Sequence, residues 1–219
     1  MSFVKPLSIL IFIFLAVVAL LFFPVGTPSS SVFYLSLLFL AVAFVFAYQK
    51  RKKGAEWAYL RLNAKASELP VLIGWGALAL IASCIASAAV SLVLYYFGLL
   101  DTQNVQNKIL TLSLPALIAA FTLAPFAEEA LFRGLLFRKI NEWRIGKHKE
   151  LGFAVGAISS SIIFAALHSS YGSIAELFVA FAIGIIFCYF TRRTNSLIPA
   201  IVAHVSFNFL SILFAVWLP

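Results

Sequence analysis

The chain has 219 residues, of which 63% are hydrophobic and 11% are charged. Soluble domains are roughly 45–50% apolar and about 25% charged, so the composition excludes a soluble enzyme and leaves no room for a separate soluble domain. The net charge of +8 does not indicate a nucleic-acid partner, because the charges fall in short connections between apolar segments.

A transmembrane helix needs about 20 consecutive, mostly apolar residues. The chain contains seven such segments, at about Leu7–Val25, Val32–Tyr48, Val71–Phe97, Leu110–Phe137, Leu151–His168, Ile174–Phe190 and Leu197–Leu218. We therefore predict an all-α, polytopic transmembrane helical bundle that forms a single integral membrane domain over residues 1–219. It would be a multi-pass membrane protein, of the plasma membrane if the source is prokaryotic.

The first apolar segment follows a single Lys5 and has some features of a signal peptide. Its apolar core is long for a signal peptide, and no clean Ala-x-Ala cleavage site follows it. An uncleaved first span is therefore the favoured interpretation.

Most Lys and Arg residues lie in every second connection between the predicted spans, and this distribution predicts the orientation of the protein in the membrane. With Lys5, the connections after spans two, four and six hold 14 of the 16 Lys and Arg residues. Only Lys108 falls in the opposite set of connections, and Arg133 is inside a span. The positive-inside rule then predicts a cytoplasmic N-terminus and an external C-terminus.

The segment Gly54–Leu69 mixes aromatic and apolar residues with basic ones, among them Arg61 and Lys65. This pattern is typical of an interfacial helix lying on an anionic leaflet. An ordinary solvated linker explains it equally well.

Three ionisable residues lie inside the fourth span: Glu128, Glu129 and Arg133. Each charged side chain at the centre of a bilayer costs roughly 2.5–3.5 kcal/mol on insertion scales, so such residues indicate a site. Glu129 and Arg133 are four residues apart and share a helix face, which predicts an ion pair. Glu128 is rotated by about 100° from Glu129 and is free to face a cavity as a general base. The alternative is a buried salt bridge that only joins helices.

Two further spans carry polar residues at helical spacing. Phe164 and His168 share one face of the fifth span, and His204 and Asn208 share one face of the last. Each pair alone is more often a packing feature or an interhelical hydrogen bond. Other hydrolytic sites fit less well, because the sequence has no His-Glu-x-x-His, only one aspartate (Asp101), and no Gly-x-Ser-x-Gly. Water activation by a glutamate is the arrangement that remains.

The three patterns together resemble the CPBP family of CAAX proteases, bacteriocin-processing proteins and abortive-infection proteins. That family is marked, in order, by Glu-Glu-x-x-x-Arg, Phe-x-x-x-His and His-x-x-x-Asn or Asp. Here the motifs are Glu128-Glu129…Arg133, Phe164…His168 and His204…Asn208. The resemblance covers about Leu110 to Phe209 and so predicts a catalytic core over 110–209, while residues 1–97 hold N-terminal spans without motifs.

The resemblance implies an intramembrane endopeptidase that opens toward the cytosol and acts on a membrane-embedded peptide or protein. Glu128 would be the general base, and His168 would help to hold the attacking water. His204 and Asn208 would donate hydrogen bonds to the oxyanion, each worth about 2.7–4 kcal/mol. The orienting residues would be Glu129, Arg133 and Phe164. The resemblance does not choose among a prenylated C-terminus, a leader peptide and a transmembrane segment as substrate.

The resemblance leaves the cofactor open. The family has also been described as metal-dependent, and Glu128, His168 and His204 would be a chemically reasonable zinc set. The metal-free glutamate mechanism is favoured, although sequence does not separate a histidine that donates to an oxyanion from one that ligates zinc.

One geometric condition applies to this site. At ~1.5 Å per residue from the cytoplasmic ends, Glu128 and His204 lie about 10–15 Å deep, whereas His168 lies about 25 Å deep. The residues can meet only if the fifth span is tilted or begins late. Glu176 is predicted to lie at the external interface without a role, and Gly134 to permit close helix packing.

Two non-proteolytic functions compete with this prediction. The first is a membrane scaffold or immunity-type protein that keeps the fold but not the activity. The second is a proton-coupled transporter that uses Glu128, His168 and His204 as a relay. A transporter is disfavoured because the sequence has no inverted repeat and no matching pair of broken helices.

Overall fold

The computed structural model describes residues 32, 36–41, 43, 60–142 and 149–217. All regular structure in these ranges is helical, which confirms the predicted all-α class. The helices are α1 (Leu69–Tyr96), α2 (Gln103–Leu110), α3 (Leu114–Phe121), α4 (Leu123–Glu129), a π-helical segment (Ala130–Phe137), α5 (Arg138–Glu142), α6 (Lys149–Leu167), α7 (Ile174–Thr194) and α8 (Ile198–Trp217). Short 3₁₀ turns, Ala66–Glu68 and His168–Tyr171, precede α1 and follow α6.

Five segments of the described ranges are long and apolar enough to cross a membrane: Ala66–Tyr96, Leu114–Asn141, Glu150–Tyr171, Ile174–Thr194 and Ile198–Trp217. They correspond to the last five predicted spans, and the protein is a multi-pass integral membrane protein. The predicted first span lies outside the described residues. Of the second, only a few residues are described, and those are helical. The total of seven spans and the orientation stay predictions.

Large apolar side chains cover the outside of the bundle, as a lipid environment requires. On α1, for example, Val71 is 62% exposed, Ile85 65% and Leu92 69%. Soluble proteins rarely leave contiguous apolar surface of this kind exposed.

The fourth span begins at Leu114 and not at Leu110, as was predicted. Residues up to Leu110 belong to the separate short helix α2. Ser113 is extended (φ −67°, ψ 155°), and Pro115 occupies the first turn of α3. Amide hydrogens in the first turn of a helix have no acceptor within that helix, so a proline, which lacks this hydrogen, is well tolerated there. Pro115 therefore favours the start of a new helix, and the apolar segment is divided into two helices.

The fourth span is also interrupted in its middle. The chain departs from helical geometry at Thr122 (φ −118°, ψ −69°), three residues before Pro125. Pro125 cannot donate to the carbonyl of Phe121, so the helical ladder loses one hydrogen bond at this point. The wider π-helical winding follows directly from Ala130. Such segments occur frequently at functional sites, and here the junction carries Glu128 and Glu129.

Close helix contact in the core depends on small residues. A Cβ placed on Gly76 of α1 would lie 2.7 Å from Cγ1 of Val202 and 3.3 Å from the carbonyl oxygen of Pro199, both in α8. Helices α1, α7 and α8 share one core cluster, formed by Ala79, Val179, Ile183, Phe187, Phe190, Ala200 and Ala203. Gly134 has the predicted packing role, since a Cβ there would lie 3.1 Å from Cδ1 of Leu197.

The described part of Gly54–Leu69 is not an interfacial helix. Leu60 is fully buried, Arg61 has left-handed backbone geometry (φ 58°), and a short 3₁₀ turn begins only at Ala66. The backbone oxygen of Arg61 accepts hydrogen bonds from the Leu197 amide, at 3.1 Å, and from Oγ of Ser196, at 3.4 Å. These tertiary bonds compete with helix formation and fix the segment against the connection between α7 and α8.

Candidate functional site

The predicted ion pair between Glu129 and Arg133 is present and wholly buried. Nη1 of Arg133 donates to Oε1 of Glu129 at 2.9 Å, and both side chains have zero solvent exposure. Glu129 is the last residue of α4 and Arg133 lies in the π-helical segment. The two side chains therefore stay in contact although the helix changes from α to π winding between them. A buried carboxylate requires such a partner, because an isolated buried charge is very costly.

His204 connects this pair to Glu128. Its Nδ1 lies 2.9 Å from Oε1 of Glu129, and its Nε2 lies 3.6 Å from Oε2 of Glu128. A carboxylate can only accept, so Nδ1 carries a proton and donates to Glu129. Glu129 thus sets the orientation of the imidazole, and Nε2 is directed toward Glu128. The distance to Glu128 exceeds a direct hydrogen bond.

Glu128 and Glu129 are adjacent in sequence but differ in environment. Glu129 is fully buried, with its Oε1 shared by Arg133 and His204. The Glu128 side chain is 18% exposed, and its Oε2 lies 3.6 Å from the second nitrogen of His204. The two carboxylates therefore differ in burial, and their roles, with Glu129 orienting the site and Glu128 acting as the base, stay predictions.

Phe164 lies at the centre of the site and is 2% exposed. The Arg133 guanidinium carbon is 4.4 Å from the centroid of its ring, close enough for a cation–π interaction. The same ring lies 4.6 Å from the His168 ring and 5.8 Å from the His204 ring, between centroids. The predicted depth mismatch therefore does not separate the two histidines, which contact one phenylalanine.

His168 begins the 3₁₀ turn that ends α6, and its Nδ1 lies 2.9 Å from the carbonyl oxygen of Phe164. Because a carbonyl oxygen only accepts, Nδ1 is the protonated nitrogen. Nε2 of the neutral ring is then an acceptor. An imidazole in this tautomer can accept a hydrogen bond from a water molecule.

Asn208 lies one turn after His204 on α8, as predicted, and joins α8 to α3. Its Nδ2 donates to the carbonyl oxygen of Ala120 at 3.1 Å. Ala120 is in the last turn of α3, where carbonyl groups lack a partner within the helix. One amide hydrogen of Asn208 is thus engaged by the interrupted span, and its second hydrogen is left for another acceptor.

Glu176, for which no role was predicted, lies near the site, and its position at the external interface stays a prediction. It lies in the first turn of α7, half-buried, and it interacts electrostatically with His168, Glu128 and His204. Tyr171 is a second residue that the sequence analysis missed, and its ring stacks on His168 at 5.9 Å with an angle of 20°. A signal for Glu176 was available, since an acid within an apolar span indicates a site by itself.

The surroundings of Arg133 contain several buried polar atoms with no hydrogen-bond partner among the described residues. They are Oε2 of Glu129, Nε and Nη2 of Arg133, Oγ of Ser161 and Oγ1 of Thr191. Unpaired buried polar groups are rare in native proteins and concentrate at functional sites. The ion pair is therefore held at some cost to stability.

The proposed zinc ligands do not form a metal site as placed. Within residues 60–142 and 149–217, no three His, Cys, Asp or Glu side chains are grouped closely enough to hold a metal ion. Nδ1 of His204 and Nδ1 of His168 donate to Glu129 and to the carbonyl of Phe164, which leaves Nε2 of each ring open. Zinc-ligating histidines commonly donate their second ring nitrogen in this way, so these hydrogen bonds do not argue against zinc, and the metal-free site stays a prediction.

Comparison with known proteins agrees with the motif analysis. Residues 110–210 match the family model for type II CAAX prenyl endopeptidase Rce1-like proteins. This match confirms the resemblance to the CPBP family over these residues.

The chain is also similar to an uncharacterized 24.3 kDa protein of Escherichia coli, with 30% identity over 115 residues. The matched region is 51% of this chain and 47% of that protein, so the chain spans about half the length of the curated relative that it matches. No solved structure matches the chain.

Proposed function

We propose that this Rce1-like protein is an intramembrane endopeptidase that hydrolyses peptide bonds of membrane-associated substrates by glutamate-activated water, without a metal ion. The observation that carries the proposal is the placement of His204 between two carboxylates that differ in burial. A pair that only joined helices would need Glu129 and Arg133 but not Glu128. The prenylated peptides named in the family description are one candidate substrate class, alongside leader peptides and transmembrane segments.

The chemistry begins with a water molecule between Glu128 and His168. Glu128 takes one proton from the water as its oxygen forms a bond to the scissile carbonyl carbon. His168 accepts the second hydrogen of the water at Nε2, which fixes the direction of attack. General-base catalysis of this kind contributes about 10²–10⁴ in rate.

The negative charge that develops on the carbonyl oxygen requires donors. Nε2 of His204, when protonated, and the free amide hydrogen of Asn208 are the donors that α8 supplies. Glu129 and Arg133 hold the His204 ring in place, so that little reorganisation is needed at the moment of reaction. Glu128 then returns its proton to the amide nitrogen as the C–N bond breaks.

His204 lies toward the basic end of the bundle. His204 is six residues, or about 9 Å, from the start of α8 at Ile198. That end also carries Arg192 and Arg193, the last turn of α7. By the positive-inside rule this is the cytosolic side, and we propose that substrates are cleaved near that face.

The test compares the termini of membrane peptides from cells that carry wild-type protein, Glu128→Gln or Glu150→Gln at matched expression. Glu150 is an exposed acid in the first turn of α6 that pairs with Arg192, and it serves as the control. New termini that appear with the wild type and Glu150→Gln but not with Glu128→Gln would establish proteolysis and locate the scissile bond. Identical termini in all three strains, with every phenotype preserved, would contradict the enzymatic proposal and support a scaffold with a protease fold.

A further inference from the structure

A cavity of about 590 Å³ opens at the basic end of the bundle. It lies between the segment that precedes α1 and the connection between α7 and α8, and it shares no residue with the site of Glu128. Its polar and charged lining residues are Arg61, Asn63, Lys65, Ser67, Glu68, Arg193, Thr194, Asn195 and Ser196. Val71, Leu72 and Trp75 complete it on the side of α1.

The cavity has an excess of positive charge. Among the described residues that line it, three are cationic, Arg61, Lys65 and Arg193, and one is acidic, Glu68. Oε2 of Glu68 already accepts a hydrogen bond from the backbone amide of Lys65 at 2.9 Å. Helices α1 and α8 begin at this cavity and α7 ends there, so their dipoles partly offset one another and the positive charge comes chiefly from the side chains.

Hydrogen bonds join the two chain segments that line the cavity, the one before α1 and the connection between α7 and α8. The backbone oxygen of Arg61 binds the amide of Leu197 and the hydroxyl of Ser196, although more than 130 residues separate these positions. Arg61 has a φ of 58°. A left-handed backbone at a non-glycine residue is strained and persists only where the surrounding structure holds it. The cations are therefore presented from a rigid segment.

The consecutive arginines at the end of α7 have different environments. Arg192 forms a two-pronged salt bridge with Glu150 and lies over the Phe153 ring at 4.5 Å. Arg193 has no carboxylate partner among the described residues and lies over the Trp75 ring at 5.4 Å. Arg193 therefore keeps its charge available to a ligand, whereas the charge of Arg192 is neutralised.

The ligand must be both anionic and apolar. The cavity borders the lipid-facing surface of α1, where Val71 is 62% exposed, and Trp75 lies one turn deeper, as aromatic residues do at a membrane interface. We propose that this cavity binds the phosphate headgroup of an anionic phospholipid, with Arg61, Lys65 and Arg193 around the phosphate and the acyl chains along α1. This would be a lipid site independent of the peptidase activity.

The experiment uses the full chain purified in dodecyl maltoside and titrated with phosphatidylglycerol or phosphatidylcholine, with bound lipid counted by native mass spectrometry. Each cation near an anionic headgroup is worth about fivefold in affinity. Lys65→Gln and Arg193→Gln should each weaken phosphatidylglycerol binding about fivefold, and the double variant about 30-fold. Arg192→Gln removes an identical charge that is already paired, and it should leave binding unchanged.

The outcomes separate the possible occupants. Arg193→Lys keeps the charge and should keep most of the affinity, which distinguishes a binding defect from a folding defect. Equal binding of the two lipids, or an Arg192→Gln variant as weak as Arg193→Gln, would overturn the proposal. Displacement of phosphatidylglycerol by millimolar inorganic phosphate would assign the cavity to a soluble anion instead. Displacement by a peptide with a free C-terminal carboxylate would assign it to substrate, and it would likewise overturn the lipid assignment.

Discussion

Removal of one charge from the buried pair of Glu129 and Arg133 should destabilise the protein more than removal of both. Both side chains are completely buried, and the hydrogen bond between them is 2.9 Å long. Glu129→Gln leaves a guanidinium with no carboxylate, and Arg133→Met leaves a carboxylate whose only described partner is His204. The double variant, Glu129→Gln with Arg133→Met, contains neither charge, so no unpaired charge of this pair is buried.

The magnitude follows from the burial. Breaking a buried ion pair by removing one partner costs about 3–5 kcal/mol, because an unpaired charge stays in the protein interior. Replacement of both partners by uncharged groups of similar volume is often close to neutral. Arg133→Met also loses the contact with the Phe164 ring, worth up to about 2 kcal/mol for a desolvated cation. We therefore expect each single variant to lose about 3–5 kcal/mol and the double variant to lose less than either.

The assay is a double-mutant cycle, with unfolding by SDS titration in mixed micelles and tryptophan fluorescence as the signal. The control is Glu150→Gln, which breaks an exposed ion pair with Arg192 and should leave the unfolding midpoint unchanged. If the two single losses simply add in the double variant, the residues are not coupled as the structure indicates. Single variants as stable as the wild type would likewise refute the reasoning.

Three further predictions concern the site and its packing. Asn208→Ala should lower kcat about 100-fold with little change in KM, since an oxyanion donor acts only in the transition state; a selective rise in KM would show that it contacts the substrate instead. Gly184→Ala should lower stability by about 1–3 kcal/mol, measured by the same SDS titration, because its Cβ would lie 2.6 Å from Oγ of Ser161 and 3.2 Å from Nη2 of Arg133; an unchanged midpoint would mean that these side chains move aside freely. Prolonged dialysis against EDTA should leave peptidase activity intact, and activity that is lost and then restored by zinc would contradict the metal-free mechanism.

The local features of the site could be predicted because they depend on helical spacing. Glu129 and Arg133 pair at i,i+4, and Nδ1 of His168 lies 2.9 Å from the carbonyl of Phe164 at the same spacing. One turn of helix brings such residues together whatever the rest of the chain does. The proximity of Glu176 to the histidines could not be predicted from spacing, because its charged neighbours come from other segments of the chain.

The sequence by itself determined that this protein is a helical membrane protein and which residues form its three motifs. Length, apolar composition and short-range spacing suffice for that, since a bilayer accepts a chain segment as a helix on its own hydrophobicity. Only the tertiary structure decided that His204 reaches Glu129 across 75 residues of chain, and that Arg61 and Arg193 line one cavity. These contacts depend on how closely the helices approach, as at Gly76, where one added carbon would lie 2.7 Å from Val202. Such distances are set by side-chain packing between helices, which the hydrophobic pattern of a single helix does not contain.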